Sequence, residues 1–116
     1  MDDAIYLKML ERVEESRKNM ARLKEEWPEQ RTAFEQLMGS TMKDGKIPVK
    51  YKYLIAVALS VMTGCPWCIA LNVNRALQNG ATKEEIMEAS WIAVYVGAGE
   101  KIHNIQYVMQ ALEEML

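Results

Sequence analysis

The sequence predicts an all-α chain of about six helices, a single domain over 1–116, and three features carry that expectation. Apolar residues recur at three- and four-residue spacings through most of the chain. Pro28, Asp44-Gly45, Gly64, Asn79-Gly80 and Gly97-Ala98-Gly99 cut it into segments of helical length. No segment shows strand alternation bounded by turns. Residues 1–46 form the N-terminal helices and 47–116 a core that holds both cysteines.

The first helix is expected over residues 3 to 27. Tyr6, Val13, Met20 and Trp27 repeat every seven residues, with Met9, Ser16 and Leu23 three further on. Glu, Arg and Lys flank this narrow stripe, the pattern of a helix with one packing seam. The seam is a candidate assembly contact, or it folds back onto its own chain. Pro28 ends the helix or opens the next. Ala33, Phe34, Leu37, Met38 and Met42 then give a shorter amphipathic helix, closed by Asp44-Gly45.

A third helix is expected at about 48 to 62, with Pro48 as an early position. It is apolar nearly all round (Tyr51, Leu54, Ile55, Val57, Ala58, Leu59, Val61, Met62) and should be central. Gly64 ends it, and Cys65-Pro66 opens a fourth running to about Gln78, stopped by Asn79-Gly80. Thr82-Lys83-Glu84-Glu85 is a capping box: the Thr82 hydroxyl accepts from the Glu85 amide while that carboxylate accepts from the Thr82 amide. The fifth helix, 83 to 96, buries Ile86, Ala89, Ser90, Trp91, Ala93 and Val94. The last, about 100 to 115, carries Ile102, Ile105, Met109, Leu112 and Leu116 on one stripe.

Composition narrows the function. A net charge of −2 supplies no basic field for a phosphate backbone, so nucleic acid is not expected. Nine methionines suit a helix-rich interior with irregular gaps. The start MDDAIYLKML is acidic and lacks the basic region and apolar core of a signal peptide. Two cysteines in one CxxC do not make a secreted disulfide framework, so a reducing cytoplasmic compartment is the expectation. The 22 uncharged residues between Lys52 and Arg75 are long enough to cross a bilayer. Gly64-Cys65-Pro66 breaks them midway, so two helices meeting at a corner are expected and no membrane span. Apolar faces this broad on so short a chain point to an oligomer.

Cys65 and Cys68 are the candidate chemistry. At a helix start, free backbone amides and the helix dipole favour a thiolate, and three-residue spacing puts both sulfurs on one face. Pro66 sets the first turn, and Trp67 is placed to shield one side. The pair reads as a redox dithiol, as half of a metal site, or as two small buried side chains. Zinc needs four ligands, and with His103 the only histidine and no second CxxC, neither a metal nor a bound cofactor is expected.

The run from Val49 to Gly99, KYKYLIAVALSVMTGCPWCIALNVNRALQNGATKEEIMEASWIAVYVGAG after Val49, resembles the carboxymuconolactone decarboxylase superfamily. The shared features are an apolar helix, a Gly-Cys-x-x-Cys corner, a following helix, Gly-Ala-Thr-x-Glu-Glu-Ile, and a small-residue helix ending in glycines. The CxxC places it with the alkyl hydroperoxidase D-like branch. That resemblance implies an all-helical homotrimer or homohexamer and an antioxidant peroxidase or disulfide oxidoreductase. Its substrate would be a small-molecule hydroperoxide or a redox partner protein. It also implies that Cys68 is the sulfur oxidised first and Cys65 the resolving one, whereas the helix-start argument favours Cys65 as the more acidic thiol.

The branch motif has a histidine four residues after its second cysteine and a glutamate twelve before its first. Here those positions are Asn72 and Tyr53. An amide does not titrate, and a phenol has an ordinary pKa of about 10, so neither serves as a base near neutrality. Tyr53 has a proton to donate and Asn72 an amide to orient a water. Dithiol–disulfide exchange, which needs less proton handling, is thus favoured over peroxide reduction through the family relay. His103, near the start of the last helix, is the candidate substitute base, and Glu88 and Glu100 are further carboxylates. Two other classes stay open: a non-enzymatic or ligand-binding member that lost its relay, and decarboxylase-like activity on a small acid. The last finds no histidine pair or basic anchor in the sequence.

Overall fold

The computed structural model describes residues 8–116. Six α-helices follow in order: α1 Met9–Glu26, α2 Pro28–Thr41, α3 Val49–Thr63, α4 Pro66–Gln78, α5 Lys83–Gly97 and α6 Lys101–Met115. Among the described residues there is no strand. Helices α3 to α6 begin and end within a residue or so of the expected positions. The expected start of α1 at residue 3, with Tyr6 in its stripe, lies outside the described residues.

Local chemistry sets the helix ends. Pro28 and Pro66 stand in the first turns of α2 and α4, where a missing N–H costs nothing. Pro48 lies one residue before α3, and the Asp44 carboxylate accepts the Val49 N–H at 2.8 Å to cap that helix. Gly64 stops α3 in the left-handed region at φ 71°, donating its N–H to Ser60 O at 3.0 Å. The Thr82 capping box forms as expected, with bonds of 3.1 and 2.9 Å. Lys50 adds an ion pair to Glu85 at 3.0 Å, tying the start of α3 to the start of α5.

The core is built around α4. It buries Ile69, Ala70, Val73 and Ala76 at helical spacing and packs against α1, α3, α6 and, more lightly, α5. The expectation that α3 is the central helix needs correction. It buries Val57, Ser60 and Val61 but leaves Tyr51, Ile55 and Leu59 about half exposed. Trp91 of α5 is exposed as well. On α6 the buried set is Ile105, Val108, Ala111 and Leu112, while Ile102, Met109 and Leu116 sit on an open edge. The cause is the same in each case. An apolar pattern shows that a face wants cover, and this chain has too few helices to cover every such face.

Two features tie the N-terminal hairpin down. Glu114 near the end of α6 accepts the N–H groups of Met9 and Leu10, each at 3.0 Å, and so caps α1. The backbone of α2 packs against α1 alone among the helices, and Phe34 and Leu37 remain exposed. The Gly64-Cys65 corner divides the long uncharged run into α3 and α4, and no described helix is long and apolar enough to cross a membrane.

Candidate functional site

Cys65 and Cys68 lie where the end of α3 turns into α4. Cys65 is the N-cap of α4, and its Sγ accepts the Cys68 N–H at 3.2 Å. A sulfur in that position faces the unpaired amides of the first turn, which favours negative charge on it. Both cysteines are free thiols, Cys65 half-buried and Cys68 exposed. Burial of its sulfur, then the hydrogen bond and charge of Cys65, push the Cys68 thiol up to about 11. Burial and the neighbouring Cys65 sulfur together favour the thiol form of Cys68.

Trp67 fixes this turn against α1. Its indole N–H donates to Glu15 Oε2 at 3.1 Å, and the Arg12 guanidinium stacks 4.5 Å from the ring centroid. Arg12 is only 4% exposed, and its Nε has no hydrogen-bond partner among the described residues. A guanidinium is always charged, so the Trp67 ring carries a buried cation on its face. Trp67 packs beside the thiols on the α1 side and forms part of the wall of the groove at Cys68. Cys68 opens into a groove of about 670 Å³ between α1 and α4, lined also by Trp67, Glu15, Ser16, Met20 and Leu71.

The relay-equivalent residues are accounted for by structure. Asn72, one turn beyond Cys68, donates from Nδ2 to Ser60 Oγ at 2.8 Å, and that hydroxyl donates on to Ala56 O at 2.7 Å. The amide thus locks α4 to α3 behind the thiols. Tyr53 packs against the core cluster. His103 is exposed in the first turn of α6, where its charge acts on Glu100, itself held below the usual carboxylate range chiefly by Lys101. Glu88 lies in the groove between α3 and α5. The structure joins Cys65, Cys68 and Asn72 on one corner and leaves His103, Glu88 and Glu100 out of it. Among the described residues no three His, Cys, Asp or Glu side chains gather as a metal site.

Three residues at this corner escaped the sequence reading. Ser60 is buried as the partner of Asn72. Asn104 of α6 donates to Val61 O at 2.8 Å and packs over Gly64. Arg12 had a visible sign, since it stands one helical turn after Met9 on the buried face. A charge in that place is a question the stripe alone leaves unanswered.

Comparison with known proteins agrees with this geometry. Residues 28–114 match the model of the carboxymuconolactone decarboxylase family. A protein of Paracoccus denitrificans, named uncharacterized protein 4 in the cox locus, is 40% identical over 83 residues, 72% of this chain and 75% of that one. The crystal structure of a carboxymuconolactone decarboxylase family protein from Legionella pneumophila superposes with a TM-score of 0.88 at 33% identity, covering 92% of this chain and 96% of the other. A family member from Thermotoga maritima, described as having a possible role in antioxidative response, gives 0.78 at 30% identity, over 88% and 87%. The six-helix fold, the cysteine corner between α3 and α4 and these likenesses agree, and the chain belongs to the carboxymuconolactone decarboxylase family.

Proposed function

We propose that the protein is a dithiol oxidoreductase of the alkyl hydroperoxidase D type, acting on a hydroperoxide or a disulfide through Cys65 and Cys68. The observation that carries this reading is the division of labour at the corner. Cys68 faces an open groove, while the Cys65 N-cap sulfur accepts the Cys68 backbone N–H and also interacts with the Cys68 thiol. Cys68 Sγ attacks the substrate as its proton passes to Cys65 Sγ, which serves as the internal base that Tyr53 and Asn72 do not supply. With a hydroperoxide, the O–O bond breaks, the leaving alkoxide takes the proton back from Cys65 to depart as an alcohol, and Cys68 becomes a sulfenic acid. Cys65 then displaces water to form the Cys65–Cys68 disulfide. With a disulfide, a mixed disulfide forms and Cys65 releases the second thiol. Either way one substrate is reduced by two electrons, and an external dithiol must restore the pair. An oxidant-handling role fits the description of the Thermotoga relative, and a reducing compartment such as the cytoplasm suits a free CxxC.

The rival reading, a family member that kept the scaffold without its activity, draws on one observation. The bonds from Asn72 to Ser60 and on to Ala56 are complete without any role in catalysis. The test is a thiol titration with a chromogenic disulfide at neutral pH, before and after a pulse of hydroperoxide. The expected outcome is loss of two reactive thiols per chain, restored by a dithiol reductant. Thiols that react only after denaturation would leave the rival reading standing. Asn72→His should accelerate the oxidation by about tenfold or more, because it returns an imidazole one turn behind Cys68. Tyr53→Glu is not paired with it, since the Tyr53 side chain packs against the core.

A further inference from the structure

A second cavity, of about 260 Å³, lies beside the thiol groove between α1, α2 and α4. Its lining carries the guanidinium groups of Arg17, Arg31 and Arg75 and the amide of Asn74, and no carboxylate. The chain as a whole has a net charge of −2, so this positive cluster is a local arrangement. Arg17 is at the surface and satisfied by Glu14 at 2.9 Å. Arg31 is not satisfied in that way. Its side chain is only 12% exposed, and its Nη2 lies a long 3.7 Å from Glu35 Oε1, while Lys24 holds the other oxygen of Glu35 at 2.8 Å. The Nε and Nη1 of Arg31 are buried with no hydrogen-bond partner among the described residues. The Phe34 ring, 5.9 Å away, gives it a weak cation–π neighbour only. Arg75 stands in the last turn of α4, where the helix carbonyls favour a cation, and it makes no ion pair among the described residues.

This cavity and the groove over Cys68 share a wall. Ser16, Met20 and Leu71 line both. Cys68, Leu71 and Arg75 fall on one face of α4, and two helical turns place Arg75 about 10 Å along the axis from Cys68. A guanidinium left short of partners is the natural mate of a carboxylate, which it holds through two parallel bonds.

We propose that this cavity is the anion subsite of the thiol groove, and that the substrate is an organic acid. Its carboxylate sits against Arg31 and Arg75, its apolar chain runs along Met20 and Leu71, and its peroxide or disulfide bond meets Cys68. The inference rests on the dithiol reading for the chemistry, in which the acid group takes no part, and on the cavity alone for the binding. It also supplies the basic anchor that the sequence did not reveal, because Arg31 and Arg75 are far apart along the chain.

The first measurement involves no thiol chemistry, so its failure is distinct from failure of the redox reading. Calorimetry on the full chain compares octanoate with octanamide, which differ in charge and not in length. Octanoate is expected to bind about tenfold more tightly, with the gap closing in about 0.5 M salt. Arg75→Gln should remove most of the gap. Lys43→Gln, an equal charge change at an exposed position outside the cavity, should retain it. Should Arg75→Gln lose helicity, Arg31→Gln takes its place, and the comparison in the unaltered protein needs no variant. Equal affinity for acid and amide, absence of binding, or an equal loss in Lys43→Gln would each overturn the proposal. The second measurement joins subsite to thiols: 4,4′-dithiodibutyrate should oxidise the pair faster than its diamide, and octanoate should slow that reaction. Octanoate that binds without slowing it would show a cavity unrelated to the groove, and would equally overturn the proposal.

Discussion

At the residue scale the site rests on an unequal pair of sulfurs. Cys68 is the one in the open and also the one held protonated, by burial first and then by Cys65. The thiol that faces the groove is therefore a weak acid, and in the proposed mechanism Cys65 takes part in its activation. Alkylation of Cys68 by iodoacetamide, followed by peptide mass spectrometry across pH, should inflect near 11 in the unaltered chain. Cys65→Ala removes the hydrogen bond and the charge but not the burial, so the inflection should move down toward an ordinary thiol. An unmoved inflection would mean that burial alone sets it. The cysteines themselves were legible in the sequence, as were the positions of Tyr53 and Asn72. What Asn72 does was not, because its partner Ser60 sits on a different helix. Arg12 and Arg31 were illegible for a related reason: helical spacing identifies a face, while burial of a charge depends on what a distant segment places over it.

At the element scale the sequence was most informative where a local rule decides. Gly64, the Thr82 capping box and the prolines of α2 and α4 set helix ends through contacts within a few residues, and those ends fell where expected. The closure of α1 onto α6 is a long-range cap, and no local rule reveals it. Glu114 accepts from Met9 and Leu10. Burial would raise its carboxyl, but those two amides and Gln110 outweigh that and hold it below the usual range. A carboxylate depressed in the folded state adds stability above its unfolded pKa of about 4.3 and loses it as pH falls through the lower folded value. Glu114→Gln should therefore destabilise the chain at pH 7 by about 1 kcal/mol or less given its partial exposure, read as a lower melting temperature. The difference from the unaltered chain should shrink as pH falls below the unfolded pKa and vanish once pH is below the lower folded value, where the unaltered chain has lost the same charge. A gap that persists undiminished in acid would show that the neutral side chain caps α1 equally well and that packing at the junction is what was lost.

At the scale of the whole molecule, several of the exposed apolar residues gather on one face, that of α3 and α5. Tyr51, Ile55 and Leu59 of α3 face Ile92 of α5 across an open groove of about 450 Å³, and Tyr95 and Val96 extend the patch at 88% and 67% exposure. A lone chain that exposes such a continuous surface is unusual, and a second copy bearing the same surface is its simplest cover. The sequence left the seam of α1 either as an assembly contact or as a face folded back onto its own chain. In the structure α1 packs against α2, α4 and α6 of its own chain, so the α3–α5 face is the stronger candidate for assembly and the exposed Phe34 and Leu37 of α2 the next. We predict that the protein sediments as a trimer or hexamer, and that Leu59→Glu with Ile92→Glu yields a smaller species. Both side chains are about 60% exposed in the single chain, so the helical content should be preserved. Phe34→Glu with Leu37→Glu is the matching test of the hairpin. If only that pair dissociates the assembly, the contact belongs to α2, and a monomeric unaltered chain would remove the assembly altogether. The outcome also bears on the thiols, because the groove over Cys68 lies between α1 and α4, on elements other than the α3–α5 patch. An assembly through α3 and α5 would leave that groove open, and the dissociated variant should then retain the oxidation rate of Cys68 measured in the unaltered chain.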